Sequence, residues 1–156
     1  MALGDGDAIR AALCEAMRVE SFGLPADLLA IRTAEDRLGV LFPQWLRDLY
    51  LACDGFLGPT AWPYLFPLEG GDGVVEFTEF LRGEDWTPPW LTRAVVFGSN
   101  VGGGTGTVNY AALDGELIEW CLGDGGEATR FDGSVIDLYR REQALWNQIE
   151  SPQKAK

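Results

Sequence analysis

Apolar residues recur at helical spacing in the first third of the chain and gather into short alternating or continuous runs later, which sets the order of elements. Ile9, Ala12, Leu13 and Ala16 form one i, i+3, i+4, i+7 face. Asp7 is placed to cap this first helix and Gly23 to stop it. A second helix is expected with Pro25 in its first turn, a stripe of Leu28, Ile31 and Leu38, and an end at Gly39. Pro43 opens a third, presenting Leu46, Leu49, Tyr50 and Cys53, with Asp54-Gly55 as a left-handed stop. The second and third helices meet across the short turn Gly39 to Phe42.

The middle is less regular. Pro59, Pro63 and Pro67 limit 56–67 to an edge strand or ordered loop, and a short helix follows from Asp72 to Arg82. Glu84 to Trp90, with two prolines and two tryptophans, reads as a rigid aromatic connection and not as a domain boundary. The continuous run Ala94 to Phe97 predicts a central strand covered on both faces. Strands are expected over 107–111 and 116–122, joined by an Asp114-Gly115 hairpin turn, with Ile118, Trp120 and Leu122 on one face. After the turn Gly123 to Gly126, another strand covers 127–131. Ser134 then caps a terminal helix bearing Val135, Leu138, Tyr139, Leu145, Trp146 and Ile149. Together these predict a single α+β domain, a mostly antiparallel sheet with N-terminal helices and a C-terminal helix packed against it. Within it, 1–24 is expected to be a loosely packed helix, 25–150 the body, and 151–156 a frayed tail.

Composition narrows the chemistry. The 156 residues carry 12 Lys+Arg, 24 Asp+Glu and no histidine, a formal charge of −12. Without histidine there is no Ser-His-Asp or Cys-His nucleophile, no histidine zinc site and no histidine proton shuttle. An excess of carboxylates repels a phosphate backbone, so nucleic acid is not an expected partner. Cys14, Cys53 and Cys121 form no C-x-x-C pair and read as small buried hydrophobes in a reducing compartment. The acidic N-terminus does not resemble a secretory signal, and no apolar run reaches the ~18 residues of a membrane span; a cytoplasmic protein without membrane attachment is expected. No cofactor or metal site is expected either, because no D-x-[DN]-x-[DN]-G loop is present.

Three features compete as sites. Gly98 to Thr105 has the spacing of a phosphate-binding loop, but Gly104 stands where the lysine must be, so it reads as a glycine connection between strands. Glu116 with Glu119, or Glu76 with Glu79, could be cast as the acid and base of a hydrolase, though that chemistry requires two carboxylates facing each other across a cleft. Glu35 falls on a core-facing stripe and must be hydrogen-bonded, paired or protonated. Backbone N–H groups near the Gly39 turn, or an arginine, could serve it.

The distribution of charge singles out the middle of the chain, where residues 55–132 carry 12 acids against 3 arginines. Glu69, Asp72, Glu76, Glu79, Glu84 and Asp85 cluster in sequence beside Trp62, Tyr64, Trp86 and Trp90. Such a surface combines long-range attraction for a cationic protein with aromatic anchors. The expected partner-binding residues are Glu76, Glu79, Glu84, Asp85, Trp86, Trp90, Asp72 and Trp62; the competing reading is a solubilising surface over core tryptophans.

The string from Ile31 through Glu35, Leu38-Gly39, Phe42-Pro43 and the leucine-rich helix to Asp54-Gly55 resembles the opening signature of the SUKH superfamily. Val95-Val96-Phe97-Gly98, the strand-turn-strand to Phe131 and the helix start at Ser134 to Tyr139 resemble its second half. The resemblance covers roughly residues 28 to 146. It implies an α+β fold in which Glu35, Gly39, Pro43, Gly55 and Gly98 are framework positions and none is catalytic. It also implies a role like that of bacterial immunity proteins, which bind and inhibit toxins that are commonly nucleases or deaminases, or like that of fungal cell-wall assembly regulators. The chain departs from the pattern at Asn109, where an acid is often found, and at Gly102-Gly103-Gly104. The expectation is an immunity protein that neutralises a cationic toxin by stoichiometric binding. A regulatory interaction module and, behind it, a small carboxylate-dependent hydrolase are the alternatives.

Overall fold

The computed structural model describes residues 5–71, 73–100, 108–121 and 127–150. Helix α1 (Gly6–Ala16) is capped by Asp5, whose carboxylate accepts from the Ala8 N–H at 2.8 Å. Asp7 instead lies inside the first turn and pairs with Arg10. Ile9, Leu13 and Ala16 are buried, and α1 lies against the third and fifth helices, so this segment belongs to the main core and does not pack loosely. Its i, i+4, i+7 stripe is continuous with the body. The helix ends at Ala16, well before Gly23, because the chain turns into strand β1 (Ser21–Phe22). Gly23 serves a different need: a Cβ there would stand 2.3 Å from the Asp54 carbonyl oxygen.

Helix α2 (Leu28–Leu38) is capped by Asp27 and not entered through Pro25. The cap sets the phase of the helix, so the buried stripe is Ile31, Ala34, Glu35 and Leu38, and Leu28 is 57% exposed. Gly39 takes the left-handed conformation (φ 69°) that closes α2, donating to the Glu35 carbonyl at 2.8 Å. Helix α3 (Gln44–Ala52) starts after Pro43 and buries Leu46, Leu49 and Tyr50. It stops at an extended Cys53, and the left-handed Gly55 (φ 90°) turns the chain into the next strand instead of ending the helix.

The proline-rich middle forms β2 (Phe56–Leu57) and β3 (Pro63–Leu65), which with β1 make a small antiparallel sheet in the order β1-β2-β3. Helix α4 (Val74–Arg82) follows, then a 3₁₀ turn at Pro89–Arg93. The larger sheet runs β4 (Ala94–Ser99), β5 (Val108–Leu113), β6 (Glu116–Cys121) and β7 (Ala128–Arg130), all antiparallel in sequence order, before α5 (Val135–Glu150). Asp114 (φ 51°) and Gly115 (φ 86°) make the tight turn between β5 and β6. Strand β4 is buried throughout, yet it ends its sheet and is not central. The Phe66 N–H, donating to the Phe97 carbonyl at 2.8 Å, joins it to the end of the small sheet.

Strands β4 to β6 of the larger sheet are covered on both faces. Val95, Phe97, Tyr110, Ala112 and Leu117 belong to the main core with α1, α2, α3 and α5. Ala94, Val96, Ala111, Ile118 and Trp120 form a second core with Leu81 of α4 and Leu91. Ser134 and Asp137 cap α5 reciprocally: the Asp137 N–H donates to Ser134 Oγ (3.2 Å) and the Ser134 N–H to the Asp137 carboxylate (3.0 Å). Leu145 and Ile149, farther along α5, are exposed and do not join the core. Leu122, Val101 to Thr107 and the turn Gly123 to Gly126 lie outside the described residues, as does the tail 151–156.

Candidate protein-interaction surfaces

The inward face of α4 is Val74, Val75, Thr78 and Leu81, which turns Glu76, Glu79 and Phe80 outward. Thr78 is held under β4, accepting from the Val96 N–H at 3.1 Å. Arg37, in the last turn of α2, lies 2.7 Å from Glu79 and 3.6 Å from Glu76. These two carboxylates therefore share one exposed cation. The chain leaves α4 in a turn in which the Glu84 N–H donates to the Leu81 carbonyl and Thr87 Oγ1 to the Glu84 carbonyl. Asp85 and Trp86 project from this turn, Trp86 being 53% exposed.

Of the expected partner-binding residues, Glu76, Glu79, Glu84, Asp85 and Trp86 thus share α4 and the turn that follows it. Trp90 is half-buried beneath, edge-on to Trp120 with ring centroids 5.3 Å apart. Trp62 stands apart, donating through Nε1 to the Ser99 carbonyl (3.1 Å) at the opposite end of β4. Tyr64 is core, and Asp72 lies outside the described residues. Phe80, 58% exposed, completes the surface. Its position two residues out of phase with Thr78 and one before Leu81 is visible in the helical pattern of 74–82.

Charges drawn partly or wholly out of water fix this surface in place. Arg82, the last residue of α4, directs its guanidinium at three carbonyls: Leu38 (2.8 Å), Leu91 (3.0 Å) and Ala94 (3.1 Å). Burial pulls its pKa below the usual arginine value, with Glu79 acting in the opposite sense. Glu35, 7% exposed, accepts from the Phe42 N–H (2.8 Å) and from Arg47 Nη2 (3.0 Å), bracing the turn between α2 and α3. Gly55 and Gly98 are sites of close approach. A Cβ on Gly55 would lie 3.0 Å from Pro67 N, and one on Gly98 only 2.0 Å from the Tyr64 carbonyl oxygen.

The suggested acid–base pairs lack the geometry for hydrolysis. Glu76 and Glu79 grip Arg37, and Glu116 and Glu119 project from opposite faces of β6 by strand alternation. Glu119 instead chelates Arg141 of α5 with both oxygens, the Oε2 contact being 2.9 Å. Arg141 also donates to buried Glu142 (2.8 Å), which accepts from the Tyr110 hydroxyl (2.7 Å), and it lies over the Phe131 ring at 5.1 Å. The Glu119 hydrogen bonds hold the Arg141 pKa above its usual value, and the partnership with Glu142 adds to this against burial. Cys53 is buried and its thiol pushed up to about 12 by desolvation, whereas Cys14 faces solvent, contrary to its expected burial, because it lies beside the α1 stripe. Among the described residues, no group of three or more His, Cys, Asp or Glu side chains could hold a metal, and no helix is long and apolar enough to cross a membrane.

A second surface surrounds the β5–β6 hairpin. Trp45 donates to the Gly115 carbonyl (3.0 Å) and, with Leu117, Phe131 and Val135, lines a cleft of about 460 Å³ between α3, β6 and the start of α5. Sequence patterning does not reveal it, since its walls come from three stretches far apart in the chain, Trp45, 115–117 and 130–137.

An α+β domain whose described acids are hydrogen-bonded, tied to guanidinium groups or open to solvent, and whose distinctive features lie on outer faces, has the make-up of a protein that works by contact. The chain belongs to the SMI1 / KNR4 family (SUKH-1), whose model matches residues 25–141. At the level of that family it is an immunity protein or an SMI1-like interaction module, in a group known for immunity and regulation and not for enzymes. The match leaves out α1, β1 and the second half of α5. A comparison with curated proteins found no match.

Proposed function

We propose that this chain is an immunity protein that neutralises a cognate, cationic bacterial toxin of nuclease or deaminase type by stoichiometric binding. The outer face of α4 and its following turn form the contact. The observation that carries this reading is the pair of exposed aromatics, Phe80 and Trp86, set among Glu76, Glu79, Glu84 and Asp85. A nuclease or deaminase must be cationic around its nucleic-acid cleft, and an acidic surface attracts it at long range while aromatic anchors bury area on contact. Occlusion then inhibits without turnover. Three cysteines with no disulfide among them suit a reducing cytoplasm.

The test is co-expression with the product of the adjacent gene, scored by viability, and a titration of the purified pair across ionic strength. Rescue, a 1:1 complex and an affinity that falls with salt are expected. Because Glu76 and Glu79 also hold Arg37, their reversal would disturb the α2–α4 contact. Phe80→Ala, Asp85→Lys and Trp86→Ala probe the surface more cleanly, and together should weaken association at least tenfold with folding intact. Unchanged affinity would remove α4 from the interface. Absence of any complex, or catalytic turnover by the isolated chain, would overturn the function itself. A regulatory module of the SMI1 type would bind a partner unrelated to toxicity in the same titration.

A further inference from the structure

We infer that the free edge of β7, together with the Trp45 cleft beside it, is a second docking site, and that its occupant is an extended basic segment of a partner protein added as a further strand. This site is separate from α4 and does not depend on the toxin reading.

Strand β7 is the last in the order of its sheet, and all three of its residues are exposed. The Phe131 N–H donates inward to the Leu117 carbonyl at 2.9 Å, and β7 pairs Thr129 with Glu119 and Arg130 with Ile118. In an antiparallel ladder the inward-bonded positions alternate. Phe131 and Thr129 therefore face β6, while Ala128 and Arg130 aim their N–H and C=O groups away from it. No described strand lies beyond them. Natural sheets guard such edges with short strands, charged side chains, proline, bulges or a covering element; β7 is short and carries Arg130, but it has no proline and no register shift against β6.

A three-residue edge offers few hydrogen bonds, so an added strand also needs a side-chain anchor. The cleft supplies one: about 460 Å³ walled by Trp45, Leu117, Phe131 and Val135, at the end of β7 where the chain turns into α5. Charge selects the occupant. Arg130 lies 3.5 Å from Glu116, and Asp137 is paired with Arg140. Glu127 and Asp132, which bracket β7, are exposed and have no ion-pair partner among the described residues. The complementary segment is an extended peptide with one aliphatic or aromatic side chain for the cleft and lysine or arginine on either side.

The experiment pans a random octapeptide library against the full chain and measures the selected peptides by titration. Basic sequences with a central apolar residue should be enriched. Binding should perturb the Ala128, Arg130 and Trp45 indole N–H resonances. Ala128→Pro removes an outward N–H while sparing the β6–β7 bonds and should weaken the selected peptide at least tenfold. Glu127→Lys with Asp132→Lys should weaken it severalfold and flatten its salt dependence. Should Ala128→Pro fail to fold, N-methylation of alternate peptide amides replaces it: one register should abolish binding and the other leave it. Enrichment of acidic or helical peptides, no enrichment, or binding indifferent to both the proline and the methylation would overturn the proposal. None of these outcomes touches α4, so the function proposed above stands or falls separately.

Discussion

The α2–α3 corner holds a buried charge, Glu35, and the end of α4 a half-buried one, Arg82, and they satisfy it in opposite ways. Glu35 accepts through one oxygen, Oε2, from both a backbone N–H and a cation, Arg47. Arg82 spreads its guanidinium over three carbonyls of three different segments, with no carboxylate among the described residues bonded directly to it. An anion on a turn has donors close at hand, and one hydrogen bond plus one ion pair suffices. A planar cation with five N–H donors can instead gather carbonyls from the end of α2, the 3₁₀ turn and the start of β4, adding to the Ala94 N–H that the Leu91 carbonyl already accepts. The difference teaches that the acid braces one local turn, whereas the arginine holds three elements in a fixed relation.

The largest effect should come from breaking that wider clamp. Arg82→Met removes three hydrogen bonds at once and should cost about 3 kcal/mol, read as a lower urea midpoint. Arg82→Lys keeps the charge but not the fork and should recover only part of that loss. Glu35→Ala comes next, at about 2 kcal/mol, since the Phe42 N–H is orphaned while Arg47 can turn to solvent. Glu35→Gln, which keeps an acceptor for Phe42, should lose about half as much. An Arg82→Met protein as stable as the parent would erase the contrast. Thr78→Val then removes the neutral counterpart of these contacts, the hydroxyl that serves Val96, for about 1 kcal/mol in the same assay.

The smallest change tests whether burial, and not backbone acceptance alone, gives Glu35 its weight. Asp137 also accepts a backbone N–H, but in water. Its hydrogen bonds from Ser134, backbone first, hold its carboxyl below the usual range, aided by Arg140. The sign follows from linkage: its stabilisation is complete above the unfolded value of about 4 and is lost as pH falls through the lower folded one. Asp137→Ala should cost about 0.5 kcal/mol at neutral pH and nothing in strong acid, measured by thermal unfolding at several pH values.

The two clamps also differ in how far they could be foreseen. Glu35 interrupts a stripe of apolar residues, so an acid in the wrong place draws notice and its need for partners follows from desolvation. Arg82 ends a helix, where a base is ordinary, and its partners are backbone oxygens, which no residue type announces. The element order and the α+β class were legible because periodicity and turn residues agree. Errors came where one signal stood for two properties. An apolar run reports burial of β4 but not its place at the end of the sheet, and proline at 25 masked the true cap at Asp27. Among the site residues, closeness in sequence put Trp62 with Trp86 and Trp90, although the length of β4 separates Trp62 from Trp90. Phe80 needed only the phase of α4. The cleft at Trp45 required the tertiary fold itself.

Gly98 has a consequence of another kind. With the Tyr64 carbonyl where a methyl would go, the backbones of β3 and β4 meet without upholstery, and Phe66 to Phe97 is stitched one step away. The small sheet and the larger one are therefore joined along a bare seam, and even the smallest side chain there would wedge the two apart.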